Sequence, residues 1–189
     1  MTVKRWTVAA SLAAISYLLM FISFVIIPVV PFMKLDFSDI PVLIAFFLLG
    51  PAGGIEVAFL RSLLYFLISG PSLPNLIGVG LSFTATLAFC LPFYYLLGGK
   101  DFSWKKALQA TLIGTLSLTV ILSLVNWGIT IPLYMSLLGM KLSISLDQMI
   151  LYGVVPFNLI KGVVLSVVFV LVYQRLHVWL TKQSYTFHN

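Results

Sequence analysis

The chain has 189 residues, of which 61% are hydrophobic and only 8% charged, and its formal net charge is +6. A soluble domain of that length cannot hide so much apolar surface, so the composition selects an all-α integral membrane protein, with room for five or six spans of about 20 residues and for no extramembrane domain. Charges this sparse are better explained by orientation in a lipid bilayer than by nucleic-acid binding, which they exclude as a main role.

Lys4 and Arg5 followed by apolar residues resemble a signal peptide, but the apolar run is too long for one, and a first span is expected over 6–27. Ala9, Ala10, Ala13 and Ala14 place two overlapping small-x-x-x-small patterns on that span, which lets another helix come close, from this chain or from another subunit. The stretch P-V-V-P-F-M-K-L-D-F-S-D-I-P (28–41) follows. Pro28, Pro31 and Pro41 forbid a continuous helix, and Lys34, Asp36 and Asp39 are the only charges between the first span and Glu56, so an ordered loop at the membrane surface is expected.

Asp39 can cap a short second helix over 39–50, with Pro41 in its first turn. That helix ends at the breaker G-P-A-G-G (50–54). A third segment over 54–68 closes at S-G-P-S-L-P-N (69–75), and a fourth covers 76–97. The polar patch Lys100, Asp101, Lys105 and Lys106 precedes a fifth span over 107–127. A loop over 130–147 and a sixth span over 150–173 complete the chain, read as one membrane domain over 1–189.

The segment before Gly50 is short for a crossing, so loop charges decide whether 39–68 crosses once or twice. With two crossings, Lys4, Arg5, Lys100, Lys105, Lys106, Arg175 and Lys182 share one side, and the other keeps only Lys34 and Lys141. The positive-inside rule then selects six transmembrane helices in the plasma membrane, both termini cytoplasmic, with 28–38 and 130–147 outside. No internal repeat supports an inverted-repeat transporter.

Ionisable groups inside a bilayer are costly, which singles out Glu56, Arg61 and Lys161. Asn158 lies three residues before Lys161, on the same helical face, and the pair at mid-span reads as a ligand site ahead of a structural ion pair. Thr115, Thr119, Ser123, Asn126 and Thr130 draw a polar stripe down the fifth helix. The threonines can bond their own helix, whereas the Asn126 amide has donors and an acceptor that its helix cannot all satisfy. Glu56 and Arg61, five apart, are poorly placed to pair with each other and are expected to pair with neighbouring helices. Trp127, Tyr134, Tyr152 and Phe157 are expected at the outer face, as belt or core, with one or two able to stack on a planar ligand. Cys90 is a core residue. There is no G-x-x-x-x-G-K-[ST] for ATP, no H-E-x-x-H, and His177 and His188 lie near the carboxyl terminus, so neither an enzyme nor a metal site is expected.

The six-helix plan, the alanine spacing and the proline-containing first loop resemble the substrate-binding S components of energy-coupling-factor (ECF) vitamin transporters. K-L-D-F-S-D-I-P-V-L-I-A, the G-P-x-x-G turn and N-L-I-K-G resemble the riboflavin-specific branch, the RibU type. The resemblance implies riboflavin as transported ligand rather than cofactor, bound in an outward-facing pocket closed by the first and fifth loops. Lys34, Leu35, Asp36, Phe37 and Tyr134 would then join Asn126, Asn158 and Lys161 around it. It also implies docking through Ala9, Ala10, Ala13 and Ala14 to a membrane T component that works with two ATPase subunits. An S component for another vitamin remains open, as do a proton-coupled secondary transporter using Glu56, Arg61 and Lys161, and a scaffold that binds no small molecule.

Overall fold

The computed structural model describes residues 3–98, 102–139, 141, 142 and 144–188, without the side chains of residues 177, 178 and 180–188. Lys100 and Asp101 of the expected polar patch, and the side chains of His177, Lys182 and His188, thus lie outside the described residues.

Helices account for nearly all of it: α1 (Val3–Met20), α2 (Asp39–Ile68), α3 (Leu73–Leu97), α4 (Trp104–Val125), α5 (Ile131–Leu138), α6 (Leu146–Met149) and α7 (Val155–His188). Two π turns, Asn126–Thr130 and Ile150–Val154, join α4 to α5 and α6 to α7. Among the described residues there is no strand, only an isolated bridge between Phe24 and Leu35. The stretches Asp39–Ile68, Leu73–Leu97, Trp104–Leu138 and Leu146–Leu176 are each long and apolar enough to cross a bilayer, the pattern of a multi-pass membrane protein.

Several expected boundaries move. α1 stops at Met20 rather than at 27, because 21–27 leaves the helix and pairs Phe24 with Leu35 in both directions, N–H to carbonyl, at 2.8 and 2.9 Å. The ordered loop therefore begins earlier than the prolines suggest. It is held further by Val30, against which a Cβ on Gly153 of the second π turn would collide. The expected loop over 130–147 contains α5, and the last helix continues past 173.

The expected helices 39–50 and 54–68 are joined within α2, but not in a straight line. Gly50 has φ 78° and ψ 179°, a conformation open to glycine, and Pro51 follows it. A straight helix would separate Asp39 and Arg61 by about 33 Å. Their side chains instead meet at 2.9 Å, and a Cβ on Gly54 would strike the ring of Phe46. The two arms of α2 thus fold back on each other at Gly50, and Gly53 and Gly54 let them lie close.

α2 packs against α1, α3 and α7, and α4 packs against α3 and α7. The half of the bundle nearest the Gly50 turn is filled by rings: Phe47 lies 4.6 Å from Tyr173 and 5.3 Å from Tyr94, and Phe93 lies 5.4 Å from Phe169 (centroid distances). Cys90 is fully buried in that core. Glu56 pairs with Arg5 at 3.5 Å, tying the second arm of α2 to the start of α1. The opposite half, under the loop over 21–38, is where the polar side chains gather.

Candidate functional site

Breaking α2 at Gly50 returns its far end, Tyr65 and Ser69, to the level of Asp39 and of the loop. A cavity of about 560 Å³ opens there. The loop contributes Phe32, Met33, Lys34 and Asp36, and Met20 and Ser23 close the same side. From α3 and the turn before it come Ser72, Asn75 and Ser82, with Gly78 between them and Ala85 one turn beyond. Leu122 of α4, Tyr134 of α5, and Phe157, Asn158 and Lys161 of α7 form the remaining wall.

The structure sorts the expected residues. Lys34, Asp36, Tyr134, Asn158 and Lys161 meet at this one cavity. Leu35 and Phe37 do not line it. Leu35 is buried in the apolar cluster that holds the loop down, and Phe37 packs between that cluster and the main core, because alternate loop residues face opposite ways. Asn126 is fully buried and also falls outside the lining; its Nδ2 donates to the Leu122 carbonyl at 2.8 Å, and its Oδ1 has no partner. The polar stripe on α4 turns toward α7 rather than the cavity: Thr119 donates to the Thr115 carbonyl at 2.7 Å, and a Cβ on Gly162 would meet Thr115 Oγ1 at 2.6 Å. Of the aromatic group, Tyr134 and Phe157 face the cavity, whereas Trp127 and Tyr152 are exposed.

The amide of Asn158 donates one N–H to the Val154 carbonyl at 2.9 Å. One further N–H and its carbonyl oxygen remain for a ligand. Asn126 opens the first π turn and Asn158 bonds the last residue of the second, a deformation that recurs at functional sites. Tyr134 donates its hydroxyl to the Pro74 carbonyl at 3.3 Å, and its ring lies 6.4 Å from Phe32, so α5, α3 and the loop meet over the cavity.

Below the cavity lies a charged cluster that the sequence did not reveal as one unit. Asp39 is not a helix cap; it begins α2 with its carboxylate buried, while Asp36 Oδ1 makes the turn by accepting the Ser38 N–H at 2.8 Å. Arg61 donates to Asp39 Oδ1 and to Ser38 Oγ at 2.9 Å each, and to Thr86 Oγ1 at 2.6 Å. Thr86 donates to Asp39 Oδ1 at 2.6 Å, and Lys161 Nζ stands 3.5 Å from Asp39 Oδ2. Ser16 of α1 joins by donating to the Ser38 carbonyl. Thr86 and the cavity residue Ser82 were missed by sequence reasoning, although their four-residue spacing on an apolar helix was the available signal.

The alanine stripe divides as well. Ala9 and Ala13 are buried inside this chain, on the face of α1 that packs on α2, whereas Ala10 and Ala14 are exposed.

Residues 4–173 match the family described as ECF transporter, substrate-specific component. The riboflavin transporter RibU of Staphylococcus aureus is 37% identical over 174 residues, covering 92% of this chain and 90% of that protein. The riboflavin transporter FmnP of Bacillus subtilis is 34% identical over 186 residues, with 97% of each covered. A solved structure of the S component of a bacterial ECF transporter superposes with a TM-score of 0.75 at 37% identity, covering 94% of this chain and 97% of that one. These relatives are transport subunits rather than enzymes, and they align along the whole bundle that builds the cavity. The chain belongs to the substrate-specific components of ECF transporters.

Proposed function

We propose that this chain is a high-affinity riboflavin-binding membrane subunit, and that the cavity between the loop over 21–38 and α7 holds the vitamin. The observation that carries the reading is the convergence of Asn158, Lys161, Asp36, Lys34 and Tyr134 on one cavity of about 560 Å³, within the range of small-molecule sites. An isoalloxazine edge presents carbonyl acceptors and an N–H donor, which an ammonium and a carboxamide complement, and Phe157, Phe32 and Leu122 suit its rings. The hydroxyls of a ribityl chain would find Ser72, Asn75, Ser82 and Asp36.

The six-crossing plan fits this reading: α1, the two arms of α2, α3, α4 and α7 run alternately between the cavity end and the end that carries the Gly50 turn. Assigning the second end to the cytoplasm puts Arg5, Lys105 and Lys106 inside. Transport would require a membrane T component and two ATPase subunits, since this chain has no nucleotide motif. The exposed Ala10 and Ala14 offer a close-packing stripe for the membrane partner.

Titration of riboflavin fluorescence with the purified chain tests the reading. Saturable quenching is expected, weakened about tenfold or more by Lys161→Ala and Asn158→Ala. Asn126→Ala should act less, because Asn126 does not line the cavity. The cavity has no arginine to fork a phosphate, so riboflavin should bind more tightly than its phosphate ester. Absence of quenching by a folded chain would discard the vitamin, and quenching indifferent to Lys161 and Asn158 would discard the site.

A further inference from the structure

We infer that Arg61 and Thr86, neither of which lines the cavity, are positioning residues for the ligand: acting through Asp39, they fix where the Lys161 ammonium points. The inference rests on the cavity being the riboflavin site. Its basis is a division of labour between the two oxygens of one carboxylate. Asp39 Oδ1 is occupied by Arg61 Nη1 at 2.9 Å and Thr86 Oγ1 at 2.6 Å, and only Oδ2 faces Lys161, at 3.5 Å.

A hydroxyl has one proton. Thr86 Oγ1 lies 2.6 Å from Asp39 Oδ1 and 2.9 Å from the Ser82 carbonyl, and the shorter, charge-assisted contact takes that proton. Its lone pairs then accept Arg61 Nη2 at 2.6 Å. Arg61 therefore holds both the carboxylate and the hydroxyl that clamps it, in a fixed planar fork that a lysine could not reproduce. With Oδ1 clamped from two directions the carboxylate plane cannot turn, and Oδ2 stays aimed at α7. Lys161 is anchored on one side by that oxygen and keeps donors for the cavity that it lines. Arg61 and Thr86 are themselves fully buried, so they act on a ligand only through this chain of contacts.

A double-mutant cycle separates positioning from mere support of the fold. Riboflavin affinity is measured by fluorescence quenching for Thr86→Val, Thr86→Ser and Arg61→Lys, each alone and combined with Lys161→Gln. Ligand-free thermal unfolding is followed in parallel. Thr86→Val and Arg61→Lys should weaken binding about tenfold with Lys161 present and by no more than about twofold with Lys161→Gln, and Thr86→Ser should restore affinity. The visible absorption of the bound flavin adds a readout that fold stability does not move. Thr86→Val should shift it in the same direction as Lys161→Gln, since both remove an oriented ammonium from the ring edge. Arg61→Lys keeps the buried charge and carries the test if the valine variant does not fold. Equal losses in both backgrounds, or an unchanged spectrum, would overturn the positioning role and leave riboflavin binding intact. A wild-type chain that fails to quench riboflavin would instead remove the reading on which the inference rests.

Discussion

Removing one partner from a buried charge cluster strands the rest in a medium that cannot solvate them, whereas an exposed pair leaves its survivor in water. The chain contains the buried case and a half-buried pair that lies nearer the exposed one. Arg61 and Asp39 are buried with Thr86 and Ser38 around them, while the side chains of Arg5 and Glu56 are 18% and 30% exposed at 3.5 Å. Arg61→Met should therefore lower stability by about 3–5 kcal/mol. Glu56→Gln should cost about 1 kcal/mol or less. Thermal unfolding of the two variants in one detergent checks the order, and an equal response would refute the distinction. At this scale the sequence was partly legible. Asn158 and Lys161 could be placed on one face because three residues along a helix fix that geometry. The partners of Lys161 and Arg61 could not, because the contact between residues 39 and 61 exists only once Gly50 reverses the chain.

Where helices end and how close they lie depends on residues that carry no charge. The breaker at 50–54 was readable from glycine and proline, and so was the presence of a helical arm on each side of it. The close approach of the arms was not, since it depends on Phe46 lying over Gly54. The end of α1 was misplaced for a related reason. F-I-S-F-V-I-I is apolar enough for a span, but its β-branched and aromatic residues suit an extended chain equally, and pairing with Leu35 settles the choice. Glycines on these elements should respond oppositely to one added methyl. Gly54→Ala forces Phe46 aside and should cost about 1–3 kcal/mol. Gly80→Ala, on α3 with nothing within 4 Å of the new atom, should be neutral or stabilising by up to about 1 kcal/mol. Unfolding midpoints measured without ligand test the pair, and a destabilised Gly80→Ala beside a tolerant Gly54→Ala would contradict the packing described.

Taken whole, the bundle is asymmetric across the membrane: one half holds the cavity and its charged floor, and the other is packed with the rings of Phe47, Phe93, Tyr94, Phe169 and Tyr173. A self-sufficient proton-coupled transporter needs a carboxylate that takes up and releases a proton as access alternates between the two faces. Asp39 is poorly suited to that task, because a proton on Oδ2 would displace Lys161 and remove the charge that holds Arg61 and Thr86 on Oδ1. Glu56 is paired with Arg5 at the other end, with the aromatic half of the core lying on that side of the cavity. On the function proposed above, inward release would draw on work supplied from outside the chain, in keeping with a family whose members are substrate-specific components. Purified chain in sealed vesicles should therefore bind riboflavin yet accumulate none when a proton gradient is imposed, and discharge of the gradient should change nothing. Accumulation that collapses with the gradient would place the proton coupling inside this chain, and would require Asp39 or Glu56 to leave the partners that hold them here.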